Sequence, residues 1–206
     1  MADAGATLDL HWIPLGAGAR VVRASGRLYE AGTALIERRP PRPIFHSALV
    51  ADTAEGRYSI EMTPVPARGD AARRGVVGGG PVGCRLLGRF RVFRYEIRRW
   101  LDGVIPDIGD AVGGPVRVSD DPDEVRCVLA LLPCVPAEVW GRDAAHAGEM
   151  WNSNSVISWT LERAGLAERV GPPPCDGRAP GWHAGIVVAR RATAAPDRPA
   201  AAGGTT

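Results

Sequence analysis

The sequence predicts an α+β fold in which an antiparallel sheet has helices packed to one side. Two observations carry this expectation. The recognisable segments run strand, helix, hairpin, long strand, helix, helix, strand. Two of the strand segments, 44–52 and 57–65, are joined by the short turn Thr53-Ala54-Glu55-Gly56, where Gly is free to take positive φ. A length of 206 residues makes one domain the expectation, long enough to bury about 70% of the surface of its unfolded chain. The boundaries expected are a loose terminus at 1–6, a domain over 7–191 and a disordered tail at 192–206, which is rich in Ala, Pro, Thr and Gly.

Taken in order, the first element is a strand from Thr7 to Leu15, where Leu8, Leu10 and Trp12 alternate with Asp9 and His11. Ser25 is placed to cap a helix over 26–38, with Leu28, Ala31, Leu35 and Ile36 as its apolar stripe. Pro40, Pro41 and Pro43 end it, because proline lacks an N–H and restricts the preceding residue. The hairpin follows. If Asp52 faces Arg57, His46 lies opposite Thr63 and Glu61 becomes its diagonal neighbour on one face. Residues 66–81 have the Pro, Gly and Arg content of an exposed loop. A strand is expected over 82–100, and its apolar phase slips between Val92 and Phe93, which calls for a bulge or a break. After a loop at 101–118, Asp121 and Pro122 start a helix reaching about Leu132. A further helix spans 151–164, with Gly165 as its left-handed terminator. Residues 182–190 have the apolar run of a last strand.

Composition excludes more than it specifies. The net charge of +2 and the scattered basic residues predict no nucleic-acid partner. No run is apolar enough to span a membrane, and the N-terminus lacks the pattern of a signal peptide. Cys84, Cys127, Cys134 and Cys175 lack metal or redox spacing, so they are expected to be small buried hydrophobes in a reduced cytoplasm. No metal or other cofactor is expected. Gly78-Gly79-Gly80 lacks the Lys-Ser/Thr ending of a phosphate loop, and the acidic run at 120–124 suits a helix start.

The stretch that stands out is Glu149-Met150-Trp151-Asn152-Ser153-Asn154-Ser155. All 25 basic residues are Arg, and Gln is absent, as a high-GC bacterial genome would produce. Asn nevertheless occurs only at 152 and 154, and three of the seven Ser lie at 153, 155 and 158. One helix cap needs one such residue, contributing about 1 kcal/mol. Helical spacing aims Ser153 at the sheet along with Val156, Ile157 and Thr160. A hydroxyl nucleophile there would gain oxyanion stabilisation from free N–H groups, but it needs a base. His46, with Glu61 to orient it, is the first choice. His183 is the alternative, while His11 and His146 rank lower.

Phe45-His46-Ser47-Ala48-Leu49-Val50, followed about a hundred residues later by Asn152-Ser153-Asn154-Ser155-Val156-Ile157, resembles the permuted branch of the NlpC-type papain-like superfamily, which includes lecithin:retinol acyltransferase-like proteins. The resemblance covers roughly a fifth of the chain and implies a permuted papain-like sheet. It places Ser153 where the family has its nucleophilic Cys, His46 where it has the strand His, and Glu61 where it has the polar partner. Asn152, Asn154, Ser155 and Trp151 would then border the oxyanion or substrate site. Ser in place of Cys removes an intrinsically strong nucleophile. Two readings follow: a Ser-dependent amidase, esterase or acyltransferase acting on a small-molecule, peptide or acyl substrate, or a binding or regulatory domain of the same fold.

Overall fold

The computed structural model describes residues 5–15, 38, 40–66 and 71–194. The helix expected at 26–38 lies outside the described residues apart from Arg38, as do residues 1–4 and the end of the tail.

Six strands form one sheet: β1 (Thr7–Pro14), β2 (Phe45–Thr53), β3 (Gly56–Pro64), β4 (Val76–Pro81), β5 (Arg94–Leu101) and β6 (Val116–Ser119). Their order is β4-β5-β3-β2-β1-β6, and every neighbouring pair is antiparallel. The hairpin has the register its turn predicts, with Asp52 opposite Arg57 and Thr53 opposite Gly56. Gly56 sits at φ +133, and a Cβ there would press on Leu101, so glycine is required twice over. The β2–β3 ladder stops at the Leu49–Ile60 pair. Residue 46 lies beyond it and pairs instead with Ile13 of β1, so the expected His46–Thr63 pairing does not form.

Alternation along β2 defines two faces. Phe45, Leu49 and Ala51 join the main core, together with Leu8, Leu10 and Trp12 of β1. Ala48 and Val50 point the other way, onto Ile13 and Ile105, where residues after β5 fold back over the sheet. The three helices pack on the first face. These are α1 (Pro122–Leu131), α2 (Ser153–Arg163) and α3 (Trp182–Ala194), which add Val125, Val128, Val156, Ile157, Leu161 and Ala189 to the main core. Helices on one side of an antiparallel sheet is the α+β arrangement the sequence predicts.

α1 begins as expected: the Asp121 carboxylate accepts from the Asp123 N–H at 2.8 Å, and Pro122 occupies the first turn. α2 ends at Gly165, φ +74, with Leu166 N–H donating to Leu161 O at 2.8 Å.

Four expectations are corrected. Residues 182–190 are helical, not a strand. Ala184, Gly185 and Ala189 are buried, and a Cβ on Gly185 would meet Ser158 Oγ and Ser155 O of α2, so close helix packing overrides the β-preference of Ile186, Val187 and Val188. The loop at 66–81 contains β4, because its glycines let an edge strand lie flat against β5. The strand expected over 82–100 begins only at Arg94. The phase slip at Val92–Phe93 marks the end of two 3-10 turns, Leu86–Arg89 and Arg91–Phe93. The loop at 101–118 ends in β6, which closes the far edge beside β1. The cysteines are also unlike the expectation: Cys84 is half-buried, and Cys127, Cys134 and Cys175 are exposed.

Candidate functional site

The Asn/Ser stretch forms a dense hydrogen-bonded knot where α2 starts. Asn152 caps the helix: its Oδ1 accepts from the N–H groups of Asn154 (2.9 Å) and Ser155 (3.4 Å), and Ser155 Oγ accepts from Asn152 N–H at 3.0 Å. This is a complete capping box. The remaining donors reach outward. Asn152 Nδ2 donates to Pro180 O at 2.7 Å, and Ser155 Oγ donates to Gly181 O at 2.7 Å. Asn154 is buried; its Nδ2 donates to Phe45 O (3.0 Å) and Pro180 O (2.9 Å), while its Oδ1 accepts from Ser47 Oγ at 2.9 Å. Ser158 Oγ donates to Trp182 O at 2.7 Å. Glu149 Oε2 completes the knot, accepting from Gly181 N–H (2.8 Å) and His183 N–H (3.2 Å).

One strand, one helix start and the entry to the next helix are therefore joined by side-chain amides and hydroxyls. The scarcity of Asn elsewhere signalled this correctly, but the amide N–H groups are committed to backbone carbonyls and the Asn154 oxygen to Ser47. Of the backbone N–H groups near Ser153 that were expected to serve an oxyanion, those of Asn154 and Ser155 already donate to Asn152 Oδ1. Trp151 is buried within the main core.

Ser153 is half-buried in the first turn of α2, and its hydroxyl makes no hydrogen bond among the described residues. His46 is on the other side of the sheet, since it alternates with Phe45 and Ser47, which face α2. Its Nε2 is 3.1 Å from Asp107 Oδ2. His183 lies exposed at the start of α3. Its ring and that of His46 are not hydrogen-bonded to Ser153. The structure does not bring Ser153 and His46 together.

On the open face, however, His46 does have a carboxylate partner. That partner is Asp107, from the segment after β5, and not Glu61. The hydrogen bond from His46 holds the Asp107 carboxyl below its ordinary range. Glu61, on β3, accepts from Arg98 Nη1 at 2.9 Å, but burial outweighs this partner and raises its carboxyl. His46 and Asp107 both lie near enough to act on Glu61 electrostatically. The chain of charges continues along β5. Arg98 Nε donates to Glu96 at 2.7 Å, and Arg74 Nε donates to the same carboxylate at 2.8 Å. Burial alone would raise Glu96, but its two arginine partners hold it low. His11 shares the open face, and burial lowers its affinity for a proton. Nothing in the local sequence singles out Asp107; only the fold-back after β5 brings it to His46.

Beside the knot lies a pocket of about 250 Å³. Trp12 and Trp182 form its aromatic wall, with ring centroids 5.2 Å apart and planes at 50°. Pro172, Pro173 and Pro180 complete the apolar lining, and Glu149 lies on its rim. Among the described residues, no group of three His, Cys, Asp or Glu side chains is placed to hold a metal, and no helix is long and apolar enough to cross a membrane. Comparison with protein-family models, curated proteins and solved structures finds no match to this chain.

Proposed function

We propose that this chain is a non-catalytic binding domain, the second of the two readings that its resemblance to the permuted papain-like branch allows. The observation that carries this reading is the separation of Ser153 from His46 by the sheet. A serine hydroxyl needs a base within about 3 Å, loosening to roughly 4 Å without ligand, and two residues on opposite faces cannot meet that condition. The N–H groups of Asn154 and Ser155 support the same reading, because both already donate to Asn152 Oδ1 and are drawn away from an oxyanion. The binding feature is the Trp12–Trp182 pocket. Flat aromatic walls, proline edges and a carboxylate fixed by two backbone N–H groups suit a small ligand with a planar apolar part.

Two measurements test this. Fluorophosphonate probes should leave the wild type unlabelled; labelling that disappears in Ser153→Ala overturns the proposal. Indole, benzoate and benzylamine, titrated in turn against the labelled protein, should include at least one that shifts the Trp182 indole N–H resonance saturably. Saturation transfer to that ligand's own proton signals should be lost in Trp182→Ala. If none of the three shifts it, the pocket is not the binding feature.

A further inference from the structure

The link between β4 and β5 presents an unusual surface. Residues 85–94 read Arg-Leu-Leu-Gly-Arg-Phe-Arg-Val-Phe-Arg, with four arginines and no acidic residue. Of the seven large apolar side chains exposed among the described residues, five lie in this stretch. Leu86 and Val92 are 78% and 77% exposed. Phe90, Phe93 and Leu87 are also open to solvent, at 47%, 39% and 38%. An exposed apolar cluster of this kind marks a contact surface.

The segment is built, not loose. Val82 N–H donates to Phe93 O at 2.8 Å and closes its base. Two 3-10 turns shape it, with Phe90 N–H donating to Leu87 O (2.9 Å) and Phe93 N–H to Phe90 O (3.0 Å). The Arg91 guanidinium bridges to Pro66 O at 3.0 and 3.2 Å. Ordered backbone therefore holds the apolar side chains outward. The arginines carry little opposing charge: Arg85 has one long contact, 3.6 Å, to Glu138, and Arg89 lies over the Phe90 ring at 4.8 Å. Behind the segment is a cavity of about 730 Å³ that has Arg89, Arg91 and Arg94 on its walls beside Arg74 and Glu96.

We propose that residues 85–94 dock this protein onto an anionic lipid surface, with Leu86, Val92 and the two phenylalanines entering the headgroup–acyl boundary while Arg85, Arg89, Arg91 and Arg94 meet lipid phosphates. Charge complementarity selects this occupant. A second copy of the chain would set four arginines against four. The aliphatic Leu86 and Val92, the most exposed of the set, offer nothing for a nucleic-acid base to stack on. They gain from entering hydrocarbon, and arginine stems can lie along that boundary with their heads in the phosphate layer. This inference is independent of the Trp12–Trp182 pocket.

Vesicle co-sedimentation of the full chain tests it. The probes are phosphatidylcholine vesicles with and without phosphatidylserine. Wild type should sediment only with the anionic vesicles, and more weakly as salt rises. Each arginine contributes about fivefold to partitioning, so Arg85→Gln with Arg89→Gln should weaken it roughly 25-fold. Leu86→Ser with Val92→Ser should weaken it at unchanged charge. These side chains are exposed, so an unchanged circular dichroism spectrum verifies the fold of each variant. Failure of wild type to bind anionic vesicles overturns the proposal. So does equal affinity for poly-glutamate or a single-stranded oligonucleotide that is insensitive to the Leu86/Val92 pair, because that pattern describes a general polyanion surface.

Discussion

Asn152, Ser153 and Asn154 are adjacent, yet they have three different fates. Asn152 is the helix cap, Asn154 ties that helix to β2, and Ser153 is left with a hydroxyl that no described residue engages. Their substitutions should separate accordingly. Asn154→Ala removes three hydrogen bonds and leaves the buried Ser47 hydroxyl without its acceptor, which should cost about 2–3 kcal/mol in urea unfolding. Ser153→Ala should change stability by less than about 0.5 kcal/mol. The reverse ranking would mean that Ser153, and not Asn154, is the structural residue. Composition gave fair notice of the knot, since two Asn in three residues are conspicuous in a chain that has no others. It could not say what the amides bond, because Phe45 O, Pro180 O and Ser47 come from elsewhere in the chain.

At the scale of elements, α3 is the instructive case. Its run of Ile186, Val187 and Val188 has strand propensity, and sequence reading assigns a strand. Helix is selected by what the segment packs on: Gly185 lets the helix backbone come against Ser158 and the Ser155 carbonyl of α2. On propensity alone, Gly185→Ala should stabilise a helix by about 1 kcal/mol. The close approach predicts the opposite sign, a loss of about 1–3 kcal/mol in urea unfolding. A net gain would show that α2 and α3 have room to separate. The 85–94 segment carries a related lesson. Its apolar phase slip was legible, but a slip does not reveal whether a strand is bulged or has ended. Pairing decides that, and no strand faces β5 until Arg94.

For the molecule as a whole, the two faces of the sheet are differently loaded, and pH should report it. Asp107 is held below its ordinary value of 3.8, chiefly by the His46 hydrogen bond. A depressed carboxyl contributes stability that is present above its unfolded pKa and lost as pH falls through the folded one. The Asp107 contribution should therefore be complete above about pH 3.8 and fade below it. Glu61 has the opposite sign. Burial raises it above 4.5, so its contribution is present below pH 4.5 and lost as pH rises through its folded value. Urea midpoints measured across acid pH should show a shallower acid limb in Asp107→Asn. In Glu61→Gln the decline that begins above pH 4.5 should be reduced. Unchanged profiles in both variants would mean that the open-face groups titrate as they do in the unfolded chain.

Sequence alone was enough for the α+β class, the hairpin with its Asp52–Arg57 register, the Asp121 cap of α1 and the Gly165 stop; the second helix was expected from Trp151 and starts at Ser153. Each depends on residues only a few positions apart, so local sterics and local hydrogen bonds suffice. Tertiary structure alone decided that residues 182–194 are helical, that β4 and β6 exist at the two edges, that Asp107 and not Glu61 is hydrogen-bonded to His46, and that Ser153 and His46 are separated by the sheet. The last of these shows the physical reason most plainly. A strand alternates its side chains between two faces, and nothing within 45–50 states which face the helices will cover. That choice was made by the apolar surface of distant elements packing over Phe45, Leu49 and Ala51. It left His46 on the side away from the helix that begins at Ser153.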